Sequence, residues 1–188
     1  PFETLAAYVD ELLSLGVPAG RLVLAALGPR VLQLAAERTA GAHTYFVPVD
    51  HTPVAREAMG AGPMLLVEQA VVLSTDEDEA RDIARRHMQM YLALPNYTRN
   101  LLRLGFAEED LADGGSDKLV DAIVAWGDVD SVVERVKAHR DGGADHVCLQ
   151  VLDADATTVP LEQWRELAAA LVPARPTRNR SRKRARRT

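Results

Sequence analysis

At 188 residues, with 47% hydrophobic and 26% charged residues, the chain is long enough for one globular domain with a core, no run approaches the ~18 apolar residues of a membrane span, and Pro1 to Asp10 lacks the basic lead-in of a secretory leader. The net charge of −5 is uneven: Arg175 to Thr188 holds eight of the 22 basic residues and no acid, leaving 14 basic against 27 acidic residues elsewhere, a net of −13. So acidic a body repels nucleic acid and membrane surfaces, and the lone Cys148, set in an apolar run, excludes a disulfide framework and reads as a buried small hydrophobe of a cytoplasmic protein.

The chain opens in a helix over residues 3 to 15, with Leu5, Val9, Leu12 and Leu13 at helical spacing and Gly16 as its stop. It starts without a lead-in, and Phe2 and Leu5 read as residues that expect a neighbour from an upstream segment. From Leu22 a short apolar run, bounded by turn signals, reads as a strand buried on both faces. Gly28 ends it and Pro29 sits at the first position of a helix through Thr39, where a fixed φ and a missing N–H do no harm. In a parallel α/β fold such a turn lies at the carboxyl end of the strand, with the free amides of the new helix pointing out of it.

A second strand, Ala42 to Val47, closes at Pro48; Asp50 caps a helix through Met59, and Gly60 to Pro63 breaks the chain. Met64 to Ser74 is a third strand. Thr75 and Asp78 have the form of a capping box for a helix that runs to about Leu94 and stops at Pro95. Asn96 to Asp113 is an excursion, helical in patches. After the Gly114-Gly115 loop, Ser116 caps a short helix through Trp126, and Asp128 or Asp130 caps another through Arg140. Gly142 and Gly143 turn the chain into a fourth strand, His146 to Leu152, and Leu161 to Leu171 is the last helix. Four strands alternating with helices predict βαβ units and a parallel sheet. Residues 174 to 188 form a basic tail with no apolar face, which we expect to be disordered.

The Walker loop, G-x-G-x-x-G, H-E-x-x-H and C-x-x-C motifs are all absent from the sequence, and no metal site is expected. His43, His51, His87, His139 and His146 are scattered and read as surface or packing residues. His43 is the best placed of them, facing the mouth of the sheet only if its strand is shorter than Ala42 to Val47. Gly114 to Lys118 reads as a solvated linker and Trp126 as a core residue.

Three separated groups of motifs agree in order with one family. The run Leu24-Ala25-Ala26-Leu27-Gly28-Pro29-Arg30-Val31-Leu32 comes first. Tyr91-Leu92-Ala93-Leu94-Pro95-Asn96-Tyr97 with Leu104-Gly105-Phe106 follows, then Val124-Ala125-Trp126-Gly127-Asp128 with Gly143-Ala144-Asp145-His146-Val147-Cys148. Over residues 1 to 173 the chain resembles the C-terminal half of a luciferase-like monooxygenase, most closely the probable coenzyme F420-dependent oxidoreductases. The resemblance implies a (βα)8 TIM barrel of the bacterial luciferase-like type, present here as a partial barrel of about strands five to eight with their helices.

The family's turn after strand five lies against the cofactor's phosphate and tail, which carries over to Leu27, Gly28, Pro29 and Arg30 as cofactor-binding residues. The catalytic residues remain unassigned, because the groups that hold the deazaflavin ring, and usually the acid/base group, come from strands one to four. Where relatives have Ala-Asp-Gly at strand six, this chain has Ala40-Gly41-Ala42. The implied activity is hydride transfer between coenzyme F420 and a small organic substrate. FMN-dependent monooxygenation on the same fold is the alternative, as is a non-catalytic half-barrel paired with a partner chain. The fragment alone is expected to be inactive, to form homo-oligomers through its open sheet edges, and to meet neither membranes nor, apart from a nonspecific contact of the tail, nucleic acid.

Overall fold

Caps and breakers set most element boundaries. In the computed structural model, which describes residues 2–155 and 157–172, α1 (Phe2–Ser14) is followed by β1 (Val23–Ala25) and α2 (Pro29–Arg38), with Gly28 as N-cap and Pro29 as first helical residue. β2 (Gly41–Thr44), α3 (His51–Met59) and β3 (Met64–Val72) come next. Asp50 holds the N-cap position of α3, but its side chain makes no cap bond. α4 (Glu77–Leu92) starts one residue later than the expected capping box: Asp76 accepts the Glu79 amide at 3.1 Å, while the Glu79 carboxylate accepts from Ser74 Oγ at 2.6 Å. Pro95 ends that run and opens α5 (Pro95–Arg103). A 3-10 segment, Glu108–Gly114, leads to α6 (Asp117–Ile123), β4 (Val124–Trp126), α7 (Val129–Asp141) capped by Asp128, β5 (His146–Val151) and α8 (Leu161–Leu171). The basic tail, residues 174 to 188, lies outside the described residues.

All the strand pairings are parallel, and β3 is the axis of the sheet. β2 pairs with Met64 to Val67 and β5 with Leu66 to Val71, so these two lie on opposite flanks of β3; β4 pairs with Ala70 to Val72 and must share the flank of β2, beyond its end. β4 is the strand that the sequence reading absorbed into the helix before it. Val124 and Ala125 are buried there, and Gln69 Nε2 donates to the Ile123 carbonyl at 2.8 Å, which stops α6 three residues short of Trp126.

Side chains alternate between the two faces of the sheet. The register puts Ala25, His43, Leu66 and His146 in one row, with Glu68, Ala70, Cys148 and Gln150 on the same face. The other face carries Leu24, Ala42, Leu65, Val67 and Val71 under the helices. Two expectations of burial fail because β1 and β5 are edge strands. Val23 is 39% exposed, so the first strand is not buried on both faces, and Cys148 is exposed, so it is not a core residue.

Behind the sheet, a buried polar chain ties β3 to α3 and α7. His139 Nε2 donates to Gln69 Oε1 at 2.9 Å, and its Nδ1 accepts from Thr52 Oγ1 at 2.7 Å. Burial, with Arg135 and His51 nearby, lowers the His139 pKa to about 4, so the ring stays neutral. Gln69→Leu leaves the His139 N–H and the Ile123 carbonyl without partners, and we expect it to cost about 2–3 kcal/mol. The check is the urea midpoint at neutral pH; a midpoint equal to wild type would show that the chain contributes nothing.

Candidate functional site

The turn after β1 is held open from below. The imidazole of His51, the first residue of α3, donates from Nε2 to the Leu27 carbonyl at 2.9 Å. Burial lowers the His51 pKa, so the ring is neutral and its Nδ1 is a bare acceptor without a partner. With the Leu27 carbonyl engaged, the Gly28 carbonyl accepts the amides of Val31 and Leu32, and the amides of Gly28 and Arg30 make no backbone bond. The α2 N-terminus thus presents donors and a partial positive charge at the carboxyl end of β1.

A cavity of about 610 Å³ opens above this turn, lined by the ends of β1 and β2, by α5 and by Leu5 of α1. Leu27, Gly28, His43, Tyr45, Tyr97 and Arg103 form the walls that matter for chemistry, and no carboxylate among the described residues lines it. His43 faces it because β2 is short: the ladder ends at Thr44, whereas the sequence predicted a strand to Val47. Burial, with His146 beside it, lowers the His43 pKa and keeps the ring neutral at neutral pH.

The chain leaves the ladder because Phe46 takes a φ of 57°, a left-handed conformation that a bulky residue holds only when its surroundings impose it. They do so twice. The Phe46 ring stacks on Tyr91 with centroids 5.0 Å apart, and its amide donates to Glu68 Oε2 at 3.3 Å. Tyr91, Tyr45 and Gln150 form a hydrogen-bonded line, Tyr45 donating to Gln150 Oε1 at 2.8 Å and lying 2.8 Å from the Tyr91 hydroxyl. Burial and the Tyr91 hydroxyl push the Tyr45 pKa up, so this phenol stays protonated. Glu68 is 5% exposed, its Oε1 has no partner, and burial raises its pKa to about 7 against the single Phe46 amide.

Of the four residues predicted at the turn, Leu27 and Gly28 line the cavity. Pro29 contributes the helix start. The Arg30 side chain leaves the site: its guanidinium lies 4.1 Å from the centroid of the Phe2 ring and 3.4 Å from Glu3 Oε1, so only its backbone amide serves the turn. Lys118, read as part of a linker, stands in the first turn of α6 and is likewise engaged, with Asp110 at 2.9 Å. Arg99, Arg103, Tyr97 and Glu68 were missed. The spacing of Arg99 and Arg103, four apart on one helix, was the signal available for the first two.

No protein-family model matches the sequence, and no curated protein does. Several solved structures share its fold. The coenzyme F420 dependent tetrahydromethanopterin reductase from Methanopyrus kandleri matches with a TM-score of 0.58 at 19% identity, over 78% of this chain and 48% of that one. An F420-dependent secondary alcohol dehydrogenase in complex with an F420-acetone adduct matches at 0.51 and 12% identity, over 71% and 44%. EDTA monooxygenase from Chelativorans sp. BNC1 matches at 0.52 and 16% identity, over 82% and 45%. The chain spans about half the length of these structures. The likeness shows the fold: a parallel α/β arrangement of the luciferase-like TIM-barrel type, of which this chain forms part.

Proposed function

We propose that the chain is the cofactor-tail half of a luciferase-like oxidoreductase, and that the cavity above Leu27 and Gly28 takes the anionic tail of coenzyme F420. FMN is the alternative, since solved structures of both F420-dependent enzymes and monooxygenases share the fold. The observation that carries this reading is the cavity itself: two free amides at a helix N-terminus, arginines on the facing wall and no carboxylate among the described residues lining it, in a body whose net charge is −13. A β-carbon on Gly28 would press on the Arg103 guanidinium, with Nη1 at 3.1 Å, so the turn and that arginine meet at one wall of the cavity.

The bound cofactor supplies a hydride donor or acceptor for a small organic substrate. The residues of this chain bind and orient. The α2 amides and the arginines hold the anionic end, Tyr45 and Tyr97 give the cavity an aromatic wall, and Leu27 and Ala25 exclude water from its floor. The outer edges of β1 and β5 have no strand partners among the described residues, which supports association with a further parallel half or a second copy.

With the chain fused behind the first four βα units of a luciferase-like oxidoreductase, Gly28→Val should weaken F420 or FMN binding by about tenfold or more, whereas Arg30→Ala changes it by about twofold or less. Fluorescence titration reads both. Unchanged affinity in Gly28→Val removes the turn from the site.

A further inference from the structure

The wall facing the turn is α5, and its charge is unspent. Arg99 and Arg103, one helical turn apart, both line the cavity. Arg30, Arg38, Arg56, Arg81 and Arg85 each pair with a carboxylate; Arg99 and Arg103, like Arg21, Arg86, Arg135, Arg140 and Arg165, form no ion pair among the described residues, and of these only Arg99 and Arg103 line this cavity. The one side-chain hydrogen bond of Arg103 runs from Nη2 to Asn100 Oδ1 at 3.0 Å. Asn100 is 3% exposed and its Nδ2 has no partner, so it is kept in the core with its carbonyl turned to the guanidinium.

The position of Arg103 also explains the glycine at 28. Gly28 has φ −87° and ψ 156°, an extended conformation that any residue adopts, so the backbone makes no demand for glycine. What a β-carbon there would meet first is Arg103, with Nη1 at 3.1 Å, Nη2 at 3.3 Å and Cζ at 3.7 Å. The guanidinium is therefore seated directly against the turn whose amides are free.

We infer that Arg103 is the anion-clamping residue of this cavity, gripping a phosphate group between its planar fork and the Gly28 and Arg30 amides, with Arg99 adding charge at the rim. This deepens the proposed function and rests on its reading that the cavity takes an anionic tail. The fork geometry selects a tetrahedral phosphate over a monovalent halide, because two parallel N–H groups match two phosphate oxygens.

The test uses the 188-residue protein, with inorganic phosphate as probe at constant ionic strength and the amide shifts of Gly28 and Arg30 as the NMR readout. Arg103→Gln should weaken phosphate binding by about tenfold, Arg103→Lys by less, and the distant Arg21→Gln by about twofold or less. Gly28→Ala should weaken it in the wild-type background, by displacing the guanidinium, and add nothing in the Arg103→Gln background. Equal effects of Gly28→Ala in both backgrounds, or no phosphate-dependent shift at all, would overturn the clamp. FMN and F420 run as separate arms on the chain fused behind the first four βα units of a luciferase-like oxidoreductase: phosphate binding that depends on Arg103 without binding of either cofactor there keeps the clamp and sinks the cofactor reading. Cofactor binding indifferent to Arg103→Gln does the reverse.

Discussion

Gly41→Ala should remove a large share of the protein's stability. Gly41 has φ 156°, and a β-carbon there would lie 1.9 Å from the Met64 carbonyl oxygen, 2.7 Å from its carbon and 2.8 Å from the Met64 nitrogen. None of these atoms can swing away. Gly41 and Met64 are register partners at the start of the β2–β3 ladder, and the Met64 amide donates to the Ala40 carbonyl at 2.9 Å. Relief therefore requires the two strands to part where the sheet begins. We expect a loss of about 4 kcal/mol or more against a total of roughly 5–15 kcal/mol, and a melting temperature lower by about 10 °C or more. A melting curve within about 2 °C of wild type would mean that the ladder yields there at little cost.

Glu68→Gln should change how stability depends on pH. The folded protein keeps the Glu68 proton up to about pH 7, whereas the unfolded chain releases it near 4.5. A raised acid pKa means that the folded state binds the extra proton between those values, so this group subtracts stability progressively as pH rises through that window, by about 3 kcal/mol in all. His139 works the other way: the unfolded ring takes its proton near 6.5 but the folded ring only near 4, so stability falls as pH drops through that interval. The two slopes oppose each other over much of one window, and the wild-type curve alone does not separate them. Urea unfolding of Glu68→Gln beside wild type does: the two should coincide below about pH 4.5, and the variant should be the more stable one above about pH 7. Parallel curves across the range would show that the Glu68 carboxyl titrates alike in the folded and unfolded protein.

The elements that local chemistry dictates were legible. Gly28 and Pro29 mark α2 to the residue, Ser116 and Asp128 mark the starts of α6 and α7, and α8 spans Leu161 to Leu171 as its periodicity predicts. What escaped depends on partners distant in sequence. Tyr45 to Val47 reads as strand by residue type, yet Phe46 turns left-handed because Tyr91 and Glu68 hold it. β4 has three residues, too few for a period, and exists because β3 outlasts β2. Arg103 stands 75 positions from Gly28, and no spacing rule joins them; the turn was legible from its glycine and proline, the arginine facing it was not.

Because β4 returns to the upper flank of β3, the excursion carrying α4, α5 and α6 leaves and re-enters the sheet on adjacent strands. Its ends are joined whatever lies between them, and doubling the length of such a closed segment adds only about 0.6 kcal/mol of entropy. Tyr97, Arg99 and Arg103 all ride on it. Insertions in its exposed turns therefore cost the ladder little, while Ile83, Met88, Leu101 and Leu119, buried on its helices, keep the segment seated, so the cavity wall can change its reach through those turns.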